Sequence, residues 1–238
     1  MRSTIFILAL LLLCCSRPSV QVTNVPVHHA GALQNFMHYG DISAKLDLLQ
    51  LQESQGIYAL GARADLKGEV LILDGQPLIS YSDRGKVALD FSWDHDASLI
   101  VYASVSEWAN FNIPKQISTP KELEAFIDSI ASKLGMDTEK PFPFMIFGEI
   151  ERANWHVVDW PTGDSVHTHE KHITSGPHGI IQNEEVQILG FFSKHHQAIF
   201  TRHTTFMHLH LVTADNRLAA HLDEAKWGNE MTLALPKK

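Results

Sequence analysis

Cysteine is nearly absent from this 238-residue chain, and both of its cysteines, Cys14 and Cys15, fall at the N-terminal end. The remaining chain therefore has no disulfide and no thiolate nucleophile or ligand. Long basic runs are also missing. The formal net charge is −8, which argues against a nucleic-acid surface because phosphate binding needs clustered Lys and Arg. Neither a phosphate-binding glycine loop nor a G-x-S-x-G motif occurs, so a small molecule is the expected partner.

The N-terminal segment has Arg2 before an apolar stretch of about nine residues, too short for an ordinary transmembrane helix. We predict an export signal at residues 1–15. Its end, from Leu12 to Cys15, resembles a bacterial lipoprotein cleavage site with Cys15 as the acylated residue. The expected locations are a membrane-anchored lipoprotein, a soluble periplasmic or secreted protein, or a protein held by an uncleaved signal. A membrane partner is expected only through such an anchor.

One helix is clear from the sequence. Thr119 and Glu122 form a capping box, and Pro120 takes the first helical position. Apolar residues then recur at helical spacing, so one stripe is expected to face a sheet, and Gly135 ends the helix.

Most other segments read as strands, because they are short, apolar and rich in β-branched and aromatic residues. They lie at 69–74, 77–81, 99–105, 144–150, 155–158, 186–192 and 198–201 and in the segment that holds His208, His210 and His221. Many strands with few helices predict an α+β chain with mixed or antiparallel sheets. The polar, proline-containing stretch 136–143 favours a division into two sheet-rich halves, an N-terminal α/β half at 32–135 and a C-terminal β-rich half at 136–238.

The region around Asp215-Asn216 predicts a metal site by itself. His208 and His210 alternate along a strand, so both rings share one face, about 6.6 Å apart. A two-residue turn at Asp215-Asn216 places His221 directly opposite His210, with Cβ atoms roughly 4.5–5.5 Å apart. Three imidazoles with no fourth protein ligand are typical of a catalytic zinc site that keeps an open position.

Two alternatives accompany this interpretation. The chain holds 15 histidines, so the pattern also arises by chance in a His-rich sequence. A second cluster, His167, His169 and His172, repeats His-x-His near an acid and has the residue types for another metal site. Its polarity and the Gly-Pro that follows favour instead a solvent-exposed loop.

The histidine spacing resembles the zinc motif of the acetolactate decarboxylases, H-x-H, a turn, then a third histidine. Residues 60–75 resemble that family's L-G-T-F-x-x-L-x-G-E-x4-D-G block, and Gly190-Phe191 resembles its G-F segment ahead of the zinc strand. The blocks occur in the family's order between about residues 32 and 224.

The resemblance implies a zinc enzyme that converts 2-acetolactate to acetoin and carbon dioxide. It implies His208, His210 and His221 as ligands and Glu69 as the active-site carboxylate. Glu69 also shares a predicted strand face with Leu71 and Leu73, and a carboxylate on an apolar face gains a raised pKa that suits a general acid. Without the resemblance, the alternative is an exposed glutamate at the end of a strand.

Several positions depart from the family pattern. Its motif arginine, which would hold the substrate carboxylate, is replaced near His156. Arg63, Arg152 and Arg202 are substitutes, none of them in the motif. Ala62 and Arg63 replace the usual Thr-Phe, Ala219 and Ala220 replace Gly-Gly, and the family's late tail glutamate has only Glu230 as a counterpart. We predict Glu69, His156 and Arg63 as catalytic candidates.

Three functional hypotheses follow. The first is a zinc-dependent lyase of the acetolactate decarboxylase type, acting on a small 2-hydroxy-3-oxo acid, with a homodimer as the candidate assembly. The second keeps the fold and metal for a related lyase, isomerase or metal-assisted hydrolase in which His156 replaces arginine. The third is a periplasmic lipoprotein that binds a metal or another ligand without catalysis.

Overall fold

The computed structural model describes residues 20–238, so the predicted export signal at 1–15 lies outside the described residues. The first half of that region forms a seven-stranded sheet. Its strands are β1 (Val27–Ala30), β2 (Leu46–Asp47), β3 (Ile57–Arg63), β4 (Glu69–Leu73), β5 (Gln76–Asp83), β6 (Lys86–Asp90) and β7 (Asp96–Ser104). They pair in the order β1-β7-β3-β4-β5-β6, and β2 adds to β7.

A second sheet of six strands follows. It contains β8 (Trp108–Asn112), β9 (Phe142–His156), β10 (His178–Phe192), β11 (Met207–Thr213), β12 (Ala219–Lys226) and β13 (Thr232–Pro236). Three helices complete the described elements: α1 (Leu33–Tyr39), α2 (Pro120–Lys133) and α3 (His169–Thr174), with 3-10 turns at Leu48–Leu51 and Ala64–Leu66.

Four strands of the second sheet close into a ring. β9 pairs with β10 along the full length of both, β10 pairs with β11, β11 with β12, and β12 again with β9. The inner faces of these strands share one hydrophobic core with the buried stripe of α2, formed by Leu123, Ile127 and Ala131. The predicted helix and its Thr119–Glu122 capping box are both present.

The outer face of this ring packs against the first sheet. Leu60, Leu71 and Leu99 of the first sheet lie in one buried cluster with Met145 and Leu189 of the second. Because side chains alternate along a strand, Leu209 and Leu211 of β11 enter the ring core while His208 and His210 point toward the first sheet. The candidate site therefore lies between the two sheets.

The predicted α+β class is confirmed, and the pairings between the named strands of residues 20–238 are antiparallel. The change of sheet falls between Ser104 and Trp108, whereas the division predicted from sequence was at 136–143. Pro141 lies in the loop between α2 and β9, two elements of the same core, whereas Pro143 is already within β9 opposite Phe191. Among the described residues, no helix is long and apolar enough to cross a membrane.

Candidate metal centre

The histidine hairpin has the predicted register. His210 pairs directly with His221, and Val212 pairs with Ala219. The ladder continues in register to Thr213, whose amide donates to the Leu218 carbonyl, and the turn then spans the four residues 214–217 instead of the predicted two, with the Asn216 amide donating to the Thr213 carbonyl. The wider loop is centred on the same midpoint, so the partner of each residue is unchanged.

The three predicted ligands converge. The ring centroids of His208, His210 and His221 lie 5.0, 5.2 and 5.3 Å apart in pairs, and one ring nitrogen from each lies within 4.8 Å of the others. His210 is fully buried, yet neither of its ring nitrogens has a hydrogen-bond partner, and Nδ1 of His208 also lacks one. A buried polar atom left unpaired costs about 1–3 kcal/mol, which metal coordination would offset.

Burial also sets the protonation of these rings. It lowers the pKa of His208 and of His210 well below the ordinary value, and neighbouring histidines lower both further. Burial likewise lowers the pKa of His221 to about 4, against an opposing effect from Asp223. All three imidazoles are therefore neutral at neutral pH, the form in which a ring nitrogen binds a metal.

Asp223 connects the metal candidates to a fourth histidine. Its Oδ2 lies 2.8 Å from Nδ1 of His156, and its Oδ1 lies 3.1 Å from Nδ1 of His221. These three residues form a second group with metal-binding geometry. Burial opposes ionisation of Asp223, but the hydrogen bond from His156 and the nearby His221 ring outweigh it and hold the pKa of this carboxyl below its usual range.

Glu69 reaches the same space from the first sheet. Its carboxylate Oε1 accepts a hydrogen bond from the Val158 amide at 3.1 Å and lies 3.8 Å from Nε2 of His156, while Oε2 lies 3.8 Å from Nε2 of His210. Burial raises the pKa of Glu69 well above its usual value, and the Val158 hydrogen bond only partly opposes this. The carboxyl is thus suited to hold a proton at neutral pH.

Gly68, the residue before Glu69, explains how β4 begins. Gly68 has φ +137°, and a Cβ there would lie 2.0 Å from the Ser80 carbonyl oxygen. Only glycine therefore allows β4 to start this close to β5, which places Glu69 at the edge facing the histidines.

The candidate arginines differ in position. Arg63 donates through Nη1 to the Lys67 carbonyl oxygen at 2.9 Å and lies over the Tyr81 ring; it does not line the cavity beside the histidines, although its neighbour Ala62 does. Arg152 is exposed on β9 and does not line that cavity. Arg202 does line it, and its Nη2 donates to Asp223 at 2.9 Å.

The second histidine cluster lies in a largely exposed segment, as predicted, but part of it forms α3 and borders the cavity: His169 is exposed and His167 and His172 are half-buried. The His167 ring stacks on Trp160 with centroids 4.1 Å apart, and its Nδ1 lies 3.1 Å from Nε2 of His172. His169 accepts a hydrogen bond from Arg202, and both His169 and His172 line the cavity. Among residues 20–238, the groups with metal-binding geometry include none of these three. Burial lowers the pKa of His172 to about 3, and the neighbouring histidines lower it further.

The cavity has a volume of about 1170 Å³. Its polar part contains Glu69, the histidines, Asp223 and Arg202, while an apolar wall comes from α1 and the first sheet through Phe36, Leu66 and Leu99, with Ala62 beside Glu69. Such a cavity, mostly apolar with a few convergent polar groups, is typical of a small-molecule site.

Sequence reasoning did not single out Asp223. The only sequence pattern around it, His-x-Asp on a strand, is too common to indicate a site. Asp223 gains its role because β9 lies beside β12 and places His156 next to this carboxylate. Arg202 was named only as one of three substitutes, since it stands outside any motif. Both become site residues through tertiary contacts.

Solved structures share this fold. The alpha-acetolactate decarboxylase of Bacillus subtilis strain 168 superposes with a TM-score of 0.72 over 89% of this chain and 85% of its own, at 15% identity. The acetolactate decarboxylase of Bacillus subtilis subspecies spizizenii gives 0.72 over 89% and 86%, at 16% identity. A Staphylococcus aureus protein of unknown function, similar to alpha-acetolactate decarboxylase, gives 0.69 over 89% and 85%, at 13% identity.

No protein-family model and no curated protein matches this sequence. The resemblance inferred from the motifs is thus confirmed as a shared fold, that of the alpha-acetolactate decarboxylases.

Proposed function

We propose that this protein is a zinc-dependent carbon–carbon lyase that decarboxylates 2-acetolactate, or a similar 2-hydroxy-3-oxo acid, with acetoin and carbon dioxide as the products from acetolactate. One observation carries the proposal. Glu69 of the first sheet lies beside three neutral histidines of the second sheet, which have buried ring nitrogens without hydrogen-bond partners. The shared fold supports the same reaction class.

The donor set fits zinc. His208, His210 and His221 offer nitrogen ligands without sulfur, and three histidines leave a fourth position for a substrate. Bound zinc would act as a Lewis acid toward the substrate's hydroxyl and keto oxygens and stabilise the negative charge that forms as carbon dioxide leaves.

Glu69 is the proposed proton donor. When the bond to the carboxylate breaks, carbon dioxide leaves and the bonding electron pair stays on the substrate carbon, which then needs one proton. The raised pKa of Glu69 keeps a proton on this buried carboxyl, and its position between His156 and His210 places it at the reacting end of the cavity. Solvent restores that proton after each turnover.

Arg202 is the proposed anchor for the substrate carboxylate. It is the cation that borders the acidic and histidine-lined part of the cavity, and its side chain remains 32% exposed, so donors stay available beside the contact with Asp223. The apolar wall of Phe36, Leu66 and Leu99 would hold the alkyl groups and exclude water. Arg63 stays a predicted catalytic residue from the sequence, although its guanidinium contacts Lys67 and Tyr81.

A second candidate is a related metal-dependent reaction on another small molecule. It is favoured by His156 in the region where the family places its arginine, and by the pairing of Arg202 with Asp223 and His169. In that case the same zinc site would act on a substrate that lacks a carboxylate.

Acetoin and carbon dioxide release from racemic acetolactate, by the purified zinc-loaded protein, tests the first candidate. We expect Glu69→Gln to lower kcat by about 100- to 10,000-fold, the usual range for a general acid. Glu53→Gln, an exposed glutamate outside the cavity, is the matched control with unchanged kcat. Absence of acetoin with the wild-type protein would contradict the lyase assignment, and full activity of Glu69→Gln would contradict the role of Glu69.

A further inference from the structure

We propose that Asp223 is the positioning residue of the metal centre, which orients His221 and His156 together and holds Arg202 beside them. The inference rests on the metal site of the proposed function. It assigns a role to a residue two positions after the last histidine of the hairpin.

The backbone directs Asp223 toward the site through a β-bulge. β12 pairs with β9 as Leu222 opposite Trp155 and then Glu224 opposite Asn154, so Asp223 is an extra residue without a partner. Leu222 and Ala225 both pack with the ring core, three positions apart, which leaves Asp223 and Glu224 outside that core. A bulge of this kind redirects a side chain, and here it turns a carboxylate toward the histidines.

Two hydrogen-bond donors and a third ring nitrogen meet at the one carboxylate. Asp223 accepts from His156 Nδ1 at 2.8 Å and from Arg202 Nη2 at 2.9 Å, and His221 Nδ1 lies 3.1 Å away without an aligned hydrogen bond. Its side chain is 7% exposed. A buried carboxylate needs such compensation, and these contacts provide it from β9, from β12 and from the segment that precedes β11.

The contacts fix which ring nitrogen faces the cavity. Because an ionised carboxylate only accepts hydrogen bonds, His156 must present Nδ1–H to Asp223. We infer the same tautomer for His221, whose Nδ1 lies 3.1 Å from Asp223 Oδ1 although it is not aligned as a hydrogen bond. Their Nε2 lone pairs then point away from it, that of His221 available to a metal and that of His156 on the side of Glu69. A carboxylate behind a metal-binding histidine is a common way to hold the ring and tautomer.

Arg202 extends this set of contacts to α3. Its Nη1 donates to His169 Nε2 at 3.2 Å while Nη2 donates to Asp223. Loss of the carboxylate would therefore release Arg202 as well as the two rings. We infer that one residue keeps the metal ligands and the proposed substrate anchor in a common geometry.

Zinc affinity of Asp223→Asn, measured by competition with a chromophoric chelator, is the main test. We expect an affinity about 10- to 100-fold weaker than wild type, the range for partners that orient ligands. Glu224→Gln is the matched control, since it replaces a neighbouring carboxylate that, within residues 20–238, accepts from Asn154 and from none of the histidines or Arg202, and its zinc affinity should equal that of wild type. Equal affinity of Asp223→Asn would overturn the inference. Complete loss of zinc would also overturn it, in favour of Asp223 as a ligand.

A second measurement needs neither bound zinc nor a variant, because it uses the metal-free wild-type protein. In metal-free wild-type protein, two-bond ¹H–¹⁵N NMR correlations should show His156 and His221 as Nδ1–H tautomers. Nε2–H tautomers would contradict the positioning role even if zinc binds. Conversely, Nδ1–H tautomers in a protein that binds no zinc would contradict the proposed function but keep the orientation by Asp223.

Discussion

The same pattern, His-x-His followed by a third histidine, occurs twice in this chain, at 167–172 and at 208–221. In the hairpin, strand pairing brings three rings together and leaves their buried nitrogens without partners. In the loop and α3, His167 stacks on Trp160 and contacts His172, and His169 contacts Arg202, while Nε2 of His167 is also buried without a partner. Convergence of three ring nitrogens in a fixed register, and not the count of histidines or one unpaired nitrogen, therefore distinguishes the hairpin as the candidate metal site.

Replacement of a hairpin histidine should give the largest effect. In His210→Ala we expect zinc affinity to fall by more than about 100-fold, beyond the range for residues that only orient ligands. His167→Ala is the matched variant from the other cluster and should retain stoichiometric zinc. Elemental analysis after dialysis against a weak chelator measures both. Zinc retained by His210→Ala but lost by His167→Ala would reverse the comparison.

Acid should destabilise the metal-free protein through buried histidines of both regions. Burial lowers the pKa of His221 from 6.5 to about 4 and that of His172 to about 3. At pH values between these folded-state pKa values and 6.5, the unfolded chain binds more protons than the folded protein. The stability that depends on neutral rings is therefore present above pH 6.5 and is lost as the pH falls. At about pH 5 each such ring should contribute a loss of roughly 2 kcal/mol.

Urea unfolding of the apoprotein at neutral pH and near pH 5 would measure this loss. His172→Phe should remove the contribution of the loop region and keep that of the hairpin. An unfolding free energy that stays constant from neutral pH to pH 5 would show that neither set of rings is held neutral by the fold.

The smallest expected effect concerns the packing of the loop. His167→Ala removes a ring stacked on Trp160, and aromatic pairs of this kind contribute about 0.5–1.5 kcal/mol. We expect a decrease of that size in the unfolding free energy, measured with urea, together with faster proteolysis within 161–177. If His167→Ala lowered the unfolding free energy of the apoprotein more than His210→Ala does, the loop cluster would have the greater structural role.

Local patterns were sufficient for much of the fold and for part of the site. The Thr119–Glu122 capping box defined α2, and the spacing from His208 to His221 defined the hairpin register, because both depend on contacts a few residues apart. The change from one sheet to the other was not apparent from local patterns. The prolines near 136–143 indicate a loop, but only long-range pairing of β8 with β13 shows that β8 joins the second sheet.

The candidate cation shows the limit of motif reasoning. Arg63, Arg152 and Arg202 could not be ranked by sequence, since each lies outside the motif. Their positions differ because Arg63 packs on Tyr81, Arg152 faces solvent, and the segment before β11 brings Arg202 to the bulge at Asp223.

By itself, the sequence determined the three converging histidines of the hairpin, since a strand alternates its side chains and a turn pairs residues about a fixed midpoint. Only the tertiary structure decided what surrounds them. Packing of the two sheets buries Glu69 against His210, and the bulge in β12 joins Asp223 to His156 and Arg202. Those contacts join residues far apart in the chain, so no local pattern encodes them.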